Sequence, residues 1–181
     1  EVVESEILDK AKIYESAKLW SAKVSGQASV YGFAMLNQWI TISDNAKIYG
    51  DVWLGGCDVG YSGECKGIIV EDNAQVYGGD IHGNVSIKNF ARVYDNAQIF
   101  GYDIKIYNYA KIYGNSTILN YAKVYGQSHV AEKASVIDNA SVYGKSRVAG
   151  SSTVSDNSKI SGDSIVYGNS RVEDEGQVFG N

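Results

Sequence analysis

With 181 residues and a net charge of −5, the chain is too acidic to recruit a nucleic acid by bulk charge. No apolar run approaches the ~20 residues of a membrane span, so membrane insertion is not expected. Proline is absent, which suits strand ladders that need every N–H, and fourteen Tyr against four Phe put aromatic rings where a hydroxyl can reach water.

In chain order the sequence falls into six-residue units. SEILDK, AKIYES and a shortened AKLWS begin at Ser5, Ala11 and Ala17, and AKVSGQ, ASVYGF, AMLNQW, ITISDN and AKIYGD follow from Ala22 to Asp51. Val52, Trp53 and Leu54 then run into GGCDVGYSGECKG, residues 55–67, which fits no hexad. The pattern resumes at Ile68 with IIVEDN, AQVYG, GDIHGN, VSIKNF, ARVYDN and AQIFGYD, and from Ile104 to Asn181 thirteen hexads follow without a slip.

Most units place a small residue first, a polar one second and Ile or Val third, then a turn such as Tyr-Gly-Asn. Strand side chains alternate with period two, so positions one and three share the inward side and position two faces water. Gly and Asn tolerate the positive φ that a tight corner requires. Such a period predicts an all-β solenoid: one domain over residues 1–181, with residues 55–67 as an inserted corner loop. After Ser146 the small position is almost always Ser, which predicts a slightly wetter core in that half.

Hexads with a small residue two places before an aliphatic one resemble the hexapeptide-repeat family, closest in pattern to its non-catalytic and acyltransferase-like members. The resemblance implies a left-handed parallel β-helix with three hexads per triangular coil of 18 residues. Tyr107, Tyr125 and Tyr143 are spaced by 18, as such a coil demands. About 28 units then give about nine coils and a body on the order of 45 Å long. Tyr14, Tyr31, Tyr49, Tyr77, Tyr94 and Tyr113 hold the fourth position of every third unit, so they should stack as one column.

The family resemblance implies acyl transfer from a coenzyme A or carrier-protein donor, with a His as general base near a coil corner. Only His82, in a turn position, and His129, in an outward strand position, are present. Neither shows an acid–base partner in the hexad pattern, and each reads as a surface variant. Two His eight units apart cannot supply the three protein ligands of a zinc site like that of the related carbonic anhydrases, so no metal and no cofactor are expected.

Cys57 and Cys65 share the Gly-rich loop, where a disulfide would stiffen the excursion and favour an oxidising compartment. Trp53, Asp58, Tyr61 and Glu64 form a candidate recognition tip on that loop, against the plainer reading of a tolerated insertion. The Tyr column, flanked by Lys47, Arg92 and Lys111, is read either as mutual packing of identical neighbours or as a strip for an extended glycan.

The favoured expectation is a non-enzymatic structural or adhesive module of a larger bacterial or phage surface protein, extracellular or at the cell surface. A polysaccharide or surface protein would be its partner. The chain starts at Glu1 without a leader and ends on a regular, uncapped hexad, which suggests a fragment that continues into further domains or associates end to end. The alternative is a hexapeptide-repeat acyltransferase, in the cytoplasm, with a coenzyme A donor and His82 as base.

Overall fold

The computed structural model describes residues 1–56 and 66–180; Cys57, Asp58, Tyr61, Glu64 and Cys65 lie outside the described residues. The described chain is all strand and corner, and every strand pairs in parallel with the strand one coil away. On the first face Ile13, Val30, Ile48, Val76, Val93, Ile112, Val130, Val148 and Val166 pair in succession, which makes nine rungs among the described residues. Two further faces run beside it. One passes through Leu36, Leu54, Ile81, Ile99 and Ile118, the other through Ile42, Val70, Ile87, Ile106 and Val124. Three hexads therefore close one coil, as the Tyr spacing required.

The inward column is aliphatic at position three and small at position one. Leu36, Ile48, Leu54, Ile81, Ile99 and Ile112 have no exposed surface. Among the described residues the only buried polar side chains are serines. The wetter core expected after Ser146 gives way to a local solution: Ser146, Ser152, Ser158 and Ser164 each donate their hydroxyl to the carbonyl three residues back. A buried hydroxyl satisfied within its own corner needs no water.

Corners are held by residues in the left-handed region. Asp44, Asp72, Asn89 and Asn108 have φ between 59° and 62° in successive coils. The Asp44 carboxylate accepts from the Asp72 N–H at 3.2 Å, Asp72 from the Asn89 N–H at 3.0 Å, and the Asn89 amide oxygen from the Asn108 N–H at 3.2 Å. Each corner thus satisfies a backbone donor of the next coil, which the sheet ladder cannot reach.

Irregular coil lengths are absorbed at corners as well. The strand Gln75–Ile87 pairs with Arg92–Ile106 around two bends, with register shifts at Gly78/Asp80 and Gly83/Val85. Gly79 sits at φ +93°, and a Cβ there would run into the Ala97 carbonyl one rung on. The insertion leaves and rejoins the helix at one corner between the second and third faces. The Gly56 N–H donates to Asn37 O at 2.8 Å on the coil below, and Asn84 on the coil above accepts the N–H groups of Lys66 and Gly67 at 2.8 and 3.0 Å.

Candidate active site

Asp80 and His82 flank inward Ile81 in the strand Gln75–Ile87, so period-two alternation turns both side chains outward on the second face. His82 Nε2 lies 2.6 Å from Asp80 Oδ1. Both are part-buried, with side-chain exposures of 27% for His82 and 39% for Asp80. A carboxylate can only accept, so Nε2 carries the hydrogen and Nδ1 keeps its lone pair. Nδ1 has no hydrogen-bond partner among the described residues. The reading of His82 as an isolated surface variant is corrected by this pair.

Parallel register builds the walls. Asp80 pairs with Trp53 and His82 with Gly55 on the coil below; Asp80 pairs with Gln98 and His82 with Phe100 on the coil above. Phe100 stacks on the imidazole at 5.1 Å and 10°, while Trp53 meets it edge-on at 5.0 Å and 72°. Gly55 is buried, and a Cβ there would come within 2.5 Å of His82 Nδ1 and 2.7 Å of Cε1. Only glycine leaves room for the imidazole in this rotamer. The insertion starts immediately after that glycine, so loop and dyad share a corner. Beside Asp80 runs a shallow groove of about 780 Å³, lined in part by Trp53, Tyr77, Asp95, Asn96 and Gln98.

Of the other residues singled out in the sequence, Trp53 thus belongs to this cluster, on the strand Val52–Gly55. Tyr14, Tyr31, Tyr49, Tyr77, Tyr94 and Tyr113 form one continuous stack at the corner between the first and second faces. Ring centroids are 4.7–5.0 Å apart and planes within 9°. Lys47, Arg92 and Lys111 point outward two residues before their Tyr, on the first face. His129 stands on that face too, and burial, then Lys111 and Arg147, hold its pKa below the usual imidazole range. No group of three or more metal-ligating side chains converges among the described residues.

Asp80 and Phe100 were missed from the sequence. The signal for Asp80 was present in GDIHGN, because an acid two residues before a His in a strand must share its side. Phe100 could not be found without knowing how the shortened coil from Tyr77 to Tyr94 realigns.

No protein-family model and no curated protein matches the chain. Solved structures do. UDP-N-acetylglucosamine O-acyltransferase from Moraxella catarrhalis is 20% identical with a TM-score of 0.53, over 91% of this chain and 66% of that one. The Francisella novicida and Campylobacter jejuni UDP-N-acetylglucosamine acyltransferases are 19% and 18% identical, with TM-scores of 0.43 and 0.44. They cover 90% and 93% of this chain and 67% and 66% of their own. The chain thus spans just under two thirds of the Moraxella enzyme's length.

The expectation of a non-enzymatic structural or adhesive module with a glycan along its Tyr face is corrected here. The solved structures that it resembles are acyltransferases, and the paired His that such a reading lacked is present at a corner. The chain has the left-handed parallel β-helix fold of the hexapeptide-repeat proteins, as its six-residue period implied.

Proposed function

We propose that the chain carries an acyltransferase site in which His82 is the general base, acting on an acceptor hydroxyl or amine with a coenzyme A thioester as donor. The Asp80–His82 pair at 2.6 Å carries this reading. Asp80 holds the Nε2–H tautomer and stabilises the imidazolium that forms when Nδ1 takes the acceptor's proton. The acceptor heteroatom attacks the thioester carbonyl, its bond to carbon forms, and the carbon–sulfur bond breaks. The proton held at Nδ1 then passes to the departing thiolate. Phe100 and Trp53 restrict the imidazole's rotation, so the base stays aimed. The fold shared with acyltransferases favours the same chemistry by analogy.

Release of free thiol from acetyl-coenzyme A, followed across a panel of amines, amino sugars and hydroxyl acceptors, tests the proposal. His82→Ala should abolish turnover, and Asp80→Asn should lower kcat by about a hundredfold or more by removing the carboxylate that favours the imidazolium. Turnover indifferent to both changes, or none across the panel, would overturn it.

A further inference from the structure

The first face lies across the body from the corner that carries Asp80 and His82, and it presents a feature that acyl transfer does not use. Its outward column places Arg92, Lys111, His129 and Arg147 on four successive rungs, directly in register. Like charges directly opposite one another on a sheet are destabilising. A chain with net charge −5 has no shortage of acids to intersperse, yet only Arg147 has one, Glu132 at 3.6 Å. Arg92 and Lys111 have no carboxylate partner among the described residues.

The same rungs break the polar habit of the neighbouring corner. There Asn73 precedes and Gln127 follows, but Phe90 and Tyr109 stand between them. Their rings stack at 5.1 Å and 4°, and they are 48% and 54% exposed. Phe90, Arg92, Tyr109, Lys111, Gln127 and His129 together line a groove of about 430 Å³. Tyr94 and Tyr113, stacked at 4.9 Å, stand on the far side of the cations. Uncompensated cations spaced by one rung, about 4.8 Å, suit an anion with several oxygens spread along the axis. An exposed aromatic pair beside them suits a ring or apolar portion of the same ligand.

We propose that this groove binds a small organic diphosphate, with its phosphates along Arg92, Lys111 and His129 and its organic portion against Phe90 and Tyr109. The ligand supplies the negative charge that the strand column lacks. His129 should respond to it, since the groups facing the imidazole are the cations of Lys111 and Arg147, the neutral amide of Gln127 and the ring edge of Tyr113 at 6.1 Å. A bound anion there offsets the cations and favours the protonated ring.

The test is calorimetric titration at low salt of the full chain with adenosine 5′-diphosphate, inorganic phosphate and adenosine, with the His129 imidazole followed by NMR. The diphosphate should bind tightest, weaken as salt is added, and move the His129 titration to higher pH. Lys111→Ala should weaken it by about tenfold or more. Tyr109→Ala should weaken the diphosphate while leaving inorganic phosphate unchanged. Lys159→Ala, a cation on another face, should leave binding as it is. Absence of diphosphate binding at millimolar concentration, or binding unaltered in a folded Arg92→Ala/Lys111→Ala double variant, overturns the proposal.

Discussion

At the scale of single residues, the serines of the inward column show how one rule is kept or broken. Ser128, Ser146, Ser152, Ser158, Ser164 and Ser170 all donate to the carbonyl three residues earlier. Ser116 occupies the same kind of position and is fully buried, yet its hydroxyl has no partner. An unpaired buried hydroxyl costs about 1–3 kcal/mol, and alanine already fills the equivalent positions 97 and 134 one coil away. Ser116→Ala should therefore stabilise the protein by about 1 kcal/mol, whereas Ser152→Ala should destabilise it by a similar amount. Denaturant midpoints of the two variants decide it, and equal shifts in both would remove the distinction. His82 follows the same logic of partners. Its type said little, and its neighbour two residues away said much.

At the scale of elements, the ladder of six tyrosines couples rings to titration. Burial, then the phenols of Tyr77 and Tyr113, then Asp95 push the Tyr94 hydroxyl up from the ordinary 10.0 to about 12, with Arg92 pulling the other way. The folded state thus holds this proton more tightly than the unfolded one. Its contribution to stability is intact below pH 10 and is lost as pH rises from there through about 12. Melting temperature should fall steeply across that window, and Tyr94→Phe, which keeps the stacked ring, should flatten the fall. An unchanged slope in the Phe variant would show that other groups drive it. The column itself was legible from the sequence, because stacking follows from the period alone. The walls of the dyad were not. Trp53 and Phe100 meet His82 only through the register of coils whose lengths depart from 18, with Gln75 pairing with Lys47 across 28 residues and Arg92 with Gln75 across 17. Spacing in a regular solenoid predicts neighbours; at an insertion it does not. The cationic groove was half legible, since Lys47, Arg92 and Lys111 were placed outward but Phe90 and Tyr109 were not linked to them.

At the scale of the whole molecule, each coil is fastened only to the one before and the one after, and its length changes are confined to corners. That arrangement makes the β-helix a chain of links loaded in series. Pulled by its two termini, it should lengthen coil by coil. Most coils span 17 to 19 residues, as from Gln75 to Arg92, Arg92 to Lys111 and Lys111 to His129. Each would release on the order of 60 Å of contour, at about 3.4 Å per extended residue. The coil from Lys47 to Gln75 holds 28 and should give one step of roughly 95 Å. A force trace with near-equal steps and a single long one would mark where along the pull the corner bearing His82 comes apart; a single rupture of the whole length would show the coils to be mechanically inseparable.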